Sequence, residues 1–193
     1  MKILAVQNRM GIGDTVIFLP FIKALSKKFN SPISILVKES SKAHQYLHQT
    51  NYIDKIIILE RDNKTNNRHS GFLGNFNLIK DIKKHNFDKI IIFNSSIRYH
   101  LISKFCGIPE IYQYPLLQKS RQHIIDTPKK FIKDKLDLIV NDDPEVQIDD
   151  KSILRSIKKF QINRNEINIL LGIGGSGSTK RIPSHIFLSV IEK

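Results

Sequence analysis

Two glycine-rich stretches carry most of the side chains in this sequence that could do chemistry. In the first, Asn8 to Pro20, an apolar strand-like run leads into a loop with Gly11 and Gly13, and the loop opens an apolar-periodic helix. Junctions of this kind usually cradle phosphate on the amide N–H groups of the helix N-terminus. Here Asp14 stands where the anion would dock, and a carboxylate there repels it. The third glycine of a dinucleotide fingerprint is absent as well, because Val16 takes its place. A carboxylate at the carboxyl end of a first strand, its charge favoured by the helix amides, is placed to accept a proton from a hydroxyl. The competing reading is structural: aspartate is a frequent helix N-cap and stabilises by ~1 kcal/mol there. Residue types alone leave both open. Pro20 costs ~3 kcal/mol in a helix interior and implies a kink or a close approach.

The second stretch, Gly174 to Pro183, is not a Walker A sequence, because Thr179 rather than glycine precedes Lys180. Its glycines, with Ser176, Ser178, Thr179, Lys180 and Arg181 ahead of a helix, form a candidate anion cradle. A flexible basic hairpin is the alternative.

The elements that must position these loops read as parallel strands joined by helical crossovers. Strands are expected at 2–6, 33–37, 55–59 and 89–93, with a short one near 111–114. Helices are expected at 14–29, about 40–49, about 76–85, about 97–105 and 127–140, the last with proline near its start. Residues 60–75 hold little that could enter a core and read as a mobile loop. The acidic run Asn141 to Asp150 reads as a linker or edge segment, followed by a helix at about 151–160. A further strand at 167–173 and a helix from about 183 open a second α/β unit, inside which the chain is expected to end. The expected organisation is a first domain over 1–145, a linker and helix over 146–166, and the start of a second domain over 167–193.

The formal charge of +13 favours anionic partners, although the basic residues are scattered over helix faces and are equally consistent with compositional drift. With no Trp and no element striped with basic and aromatic residues, nucleic-acid binding is the weaker reading. No apolar run reaches the ~20 residues a membrane span needs. The single cysteine, Cys106, excludes an internal disulfide and suits a reducing compartment, so a cytoplasmic location is expected. Neither metal nor cofactor is expected.

Taken together, the two loops resemble those of the family 9 glycosyltransferases, the ADP-heptose:lipopolysaccharide heptosyltransferases. Arg9, Gly13, Asp14 and Pro20 match the family's Arg-x-x-x-Gly-Asp loop and following helix, and Asn51 to Leu59 is similar to its Pro-Tyr-Ile-Asp-Glu-Val stretch. His123 to Leu136 loosely resembles a segment in which a histidine precedes a helix. Gly174 to Phe187 resembles the opening of the donor domain, with Ile182 where that pattern has tryptophan. The resemblance implies an α/β, Rossmann-like parallel sheet with helices on both faces, the N-terminal half of a two-domain GT-B-type glycosyltransferase. It implies an inverting transfer of heptose from ADP-heptose to the lipopolysaccharide inner core. Asp14 would be the base, on a loop with Arg9, Gly11 and Gly13 facing the acceptor, while Ser176, Thr179 and Lys180 hold donor phosphate. The implied partners are a nucleotide-sugar and a lipid-linked saccharide, with peripheral contact at the inner face of the membrane. The family's later Asp-Ser-Gly-x-x-His segment would lie beyond Lys193, so this chain is expected to be inactive alone. Another transferase of the same plan, using a different nucleotide-sugar for a surface glycan, and a non-catalytic remnant are the alternatives.

Overall fold

The computed structural model describes residues 1–9, 11–61, 67–116, 123–172 and 182–191. The chain divides into two compact units, Met1–Ile148 and Asp149–Lys193.

The first unit is built on five parallel strands: β1 (Ile3–Val6), β2 (Ile33–Lys38), β3 (Ile53–Leu59), β4 (Lys89–Ile92) and β5 (Glu110–Gln113). They lie in the order β3-β2-β1-β4-β5, with Ile3 opposite Ile33 on one side and Lys89 on the other. Continuous apolar runs such as Ile-Leu-Ala-Val suit strands covered on both faces. Side chains alternate across the sheet, so Ile3 and Ala5 enter one core while Leu4 and Val6 enter the other.

The first core lies under α1 (Ile12–Phe29) and α5 (Asp126–Leu136). Its centre is aromatic: the Phe93 ring lies 5.2 Å from Phe18 and 5.8 Å from Phe131, which in turn lies 4.9 Å from Tyr114. Each such ring contributes about 1.5–3 kcal/mol through burial alone. Helix α1 runs on through a buried Pro20 and ends at Asn30, whose left-handed backbone closes the last turn. The second core lies under α3 (Gly71–Lys83) and α4 (Ile97–Phe105), where Leu78, Ile82, Tyr99 and Ile102 are buried against the sheet.

Three local expectations are corrected. The helix expected at 40–49 is broken into a 3-10 turn, Glu39–Ser41, and one α turn, α2 (Ala43–Tyr46), because Lys42 between them takes a left-handed conformation with φ 48°. Within the loop expected at 60–75, the chain is already α3 from Gly71, and residues 67–70 are a turn but not empty of core, because His69 is buried. Its Nδ1 accepts the Glu60 amide at 3.0 Å and its Nε2 lies 3.1 Å from Asp81, which also takes a two-bond contact from Arg68. The acidic run 141–148 is no free linker. Lys23 pairs with Glu145 and Asp142, Gln147 accepts the Asn51 amide, and Val140 is buried, so the strap lies along the first unit up to Ile148.

In the second unit, α6 (Asp150–Lys159) is capped by the Asp149 side chain, which accepts the Ser152 amide at 2.6 Å, and α7 spans Ser184–Ile191. The strand expected at 167–173 is not formed over its described part, 167–172: Ile167 and Leu170 are 92% and 96% exposed and pair with nothing there. Ile186, Leu188 and Ile191 are exposed on α7.

Candidate active site

In an open parallel sheet, ligands gather outside the carboxyl ends of the strands where the strand order reverses. Here that point lies between β1 and β4, which continue the sheet in opposite directions. The loops that leave these two strands are joined by Asn94, whose amide donates to the Asn8 side chain at 3.4 Å. Gln113, at the end of β5, extends the rim by donating to the carbonyls of Asn94 and Ser96 at 3.1 and 2.9 Å.

Asp14 stands over this rim. The N-cap of α1 is Gly11, at φ 104°, and no side chain caps it. Asp14 therefore lies in the first helical turn, two residues past the first, and the capping reading of its side chain does not describe this helix. A Cβ built on Gly11 would sit 3.6 Å from Asp14 Oδ2, so the carboxylate folds back over the glycine whose left-handed backbone turns the chain into the helix. Asp14 is half-buried, and among the described residues its carboxylate has no hydrogen-bond or ion-pair partner. A carboxylate held at a helix N-terminus with its lone pairs uncommitted is set to accept a proton.

Its support comes from Gln7, the first residue after β1 and only 3% exposed. The Gln7 amide donates to the Asp14 carbonyl at 3.4 Å, and its backbone N–H to Leu36 at 3.0 Å, tying the helix start to two strands. Gln7 was not among the candidates read from the sequence. The available signal was a polar residue ending an apolar strand. Gly13 lies inside the helix rather than in the loop, with open space where a side chain would stand.

Arg9 is exposed on the same rim. Burial pushes the Tyr114 phenol up from its ordinary range, and the positive charge of Arg9 pulls the other way. Beyond Tyr114 a cleft of about 280 Å³ opens against α5, walled by Phe131 and Thr127 and carrying Lys130 and Lys135 together with Asp126 and Asp134, the last paired with Lys130 at 2.7 Å. His123 has a structural part in this region, since its Nδ1 accepts the amides of Ile125 and Asp126 at 3.4 and 3.3 Å at the start of α5. Ser176, Thr179 and Lys180 lie outside the described residues. Among the described residues no group of three His, Cys, Asp or Glu side chains could hold a metal ion.

No family model matches the sequence, and no curated protein matches it. Solved structures do. The chain is similar to the family 9 glycosyl transferase of Veillonella parvula DSM 2008 at 19% identity and a TM-score of 0.73, over 98% of this chain and 58% of that one. It is also similar to E. coli ADP-heptose lps heptosyltransferase II at 15% identity and a TM-score of 0.55, over 85% of this chain and 52% of that one. The fold is thus the Rossmann-like α/β fold of glycosyltransferases, family 9 among them. The chain spans a little over half the length of either structure.

Proposed function

We propose that this chain is the acceptor-side part of an inverting glycosyltransferase that moves heptose from ADP-heptose to the lipopolysaccharide inner core. One observation carries the reading: a partly exposed carboxylate, Asp14, without a partner among the described residues, at the carboxyl edge of the central strand. The acceptor hydroxyl gives its proton to Asp14 as its oxygen attacks the anomeric carbon. The bond from that carbon to the diphosphate oxygen breaks on the opposite face, and the electron pair leaves with the nucleoside diphosphate. Configuration is inverted. Arg9, exposed in the loop that leads to Asp14, supplies positive charge toward an anionic acceptor, and Lys180 with Ser176 and Thr179 would hold the donor phosphates. The likeness to two glycosyltransferase folds, one of them a heptosyltransferase, supports the reading.

The test uses a protein in which this unit is joined to its donor-binding domain. Asp14→Asn keeps the side-chain size and leaves the turn at Gly11 intact, so the fold is retained. Turnover falls by ~10²- to 10⁴-fold, as expected for a lost general base, with acceptor affinity unchanged. Near-normal turnover in that variant would remove Asp14 from the reaction.

A further inference from the structure

The side of the sheet covered by α3 and α4 carries an apolar surface that the active-site rim does not use. Phe72 is 76% and Phe105 67% exposed, and Leu73, Phe76, Ile97 and Leu101 are exposed with them. A groove of about 410 Å³ runs between the two helices with Ile79 and Ile102 in its floor. The spacing explains the stripe: Phe72 and Phe76 fall one turn apart on α3, as do Ile97, Leu101 and Phe105 on α4. The rings of Phe72 and Phe76 meet edge to face at 5.3 Å.

The charge around this stripe has one sign. Lys80, Lys83, Lys84 and Lys104 are exposed on the same two helices and their ends. Lys83 falls one turn past Ile79, which lies in the floor of the groove. The single acidic residue of α3 and α4, Asp81, faces inward and is held by Arg68 and His69, with Lys84 at 3.5 Å. Exposed phenylalanines on helices that also carry exposed lysines, with the one carboxylate neutralised inside, match an interface with acyl chains below and anionic headgroups above.

We propose that the α3/α4 face, through Phe72, Phe76, Leu101 and Phe105 with Lys83 and Lys104, docks this chain onto an anionic lipid bilayer. The docking stands on this surface alone. Its use, holding the active-site rim near a lipid-linked acceptor, rests on the transferase reading.

Sedimentation of the full chain with vesicles tests it. The chain pellets with vesicles of mixed phosphatidylglycerol and phosphatidylcholine, not with phosphatidylcholine alone, and the bound fraction falls as salt rises. Phe72→Ser with Phe105→Ser weakens binding ~10-fold through lost acyl contact. Lys83→Glu with Lys104→Glu weakens it by a similar ~10-fold. Lys129→Glu with Lys133→Glu makes the same change of net charge on α5, across the sheet, and leaves binding within ~2-fold of the parent, since electrostatic attraction to the surface fades within a Debye length. Unchanged far-ultraviolet circular dichroism shows that each variant is folded. Equal losses from the two lysine pairs would reduce the effect to bulk charge and overturn the proposal. So would full binding by the phenylalanine variant, or a concentration-dependent dimer that this variant abolishes, which would assign the face to a second copy of the chain. An inactive Asp14 would leave these results untouched, so the two readings fail separately.

Discussion

On the α1/α5 side of the sheet, five aromatic rings from α1, the ends of β4 and β5, and α5 meet one another and leave little of their surface to water. On the α3/α4 side the residues nearest the sheet are as well buried, yet the outer seam between the helices lies open and polar bonds tie it. Arg98 of α4 donates to the Asn75 side chain of α3 and to the His69 carbonyl, both at 2.6 Å. The difference teaches that one sheet can be closed in two ways. Aromatic packing fills one side, and on the other a hydrogen-bonded brace joins two helices whose outer apolar edges stay exposed.

If that contrast is right, the largest loss follows from opening the aromatic side. Phe131→Ala removes a ring in contact with Phe93 and Tyr114 and is expected to cost ~3–5 kcal/mol in urea unfolding, enough to leave much of the chain unfolded. A loss under ~1 kcal/mol would mean that the cluster is not the keystone of its side.

On the brace side, the sharpest test inverts a general rule. Gly→Ala inside a helix usually stabilises by ~1 kcal/mol. At Gly74 a Cβ would come within 2.7 Å of the His69 carbonyl oxygen and 2.9 Å of its Cα, closest of all to the carbonyl carbon, so α3 must move away from the segment it braces. Gly74→Ala is therefore expected to destabilise by ~2 kcal/mol. A rise in the urea midpoint would break the comparison.

Asp81→Asn probes the same brace through charge. Burial raises the Asp81 carboxyl, but the hydrogen bonds from Arg68 and His69 outweigh it and hold the group below the ordinary carboxylate range. A group lowered by folding stabilises fully above its unfolded value of about 3.9, and that contribution is lost as pH falls through the lower, folded value. At neutral pH the substitution is expected to cost ~1–2 kcal/mol. The gap to the parent should narrow in acid, and a gap that widens below pH 4 would contradict the assignment. The smallest effect belongs to the open edge: Phe72→Ser should shift unfolding by no more than ~0.5 kcal/mol, because that ring is already in water.

How far the sequence announces these features depends on how local their causes are. Strands β1 and β4 were readable because doubly covered strands are written as unbroken apolar runs. Helix α4 was readable because Gly107 and Pro109 mark its end. The start of α3 was not, since Gly71 and Gly74 weaken its helical signal and Gly74 answers to the His69 backbone rather than to helix propensity. Likewise, the Arg68–His69–Asp81 contacts exist only once helix and loop have come together. Residues 167–172 show the reverse error, an apolar run that reads as a strand while its hydrogen bonds find no neighbour among the described residues. At the candidate site Asp14 could be named from its place after the first strand, whereas its support by Gln7 depends on how the strand end meets the helix.

The placing of β1 in the middle of the sheet has a consequence for how the chain is made. Its partner on one side, β2, emerges soon after it, but its partner on the other, β4, is synthesised only after β3, α3 and the intervening loop. Until then a strand buried along its whole length in the finished protein carries one bare edge. The closing step must gather a long stretch of chain before any contact rewards it, which makes folding slow and the half-built sheet adhesive. A cell that makes this protein quickly should therefore find it dependent on chaperones during that interval, however stable the finished sheet.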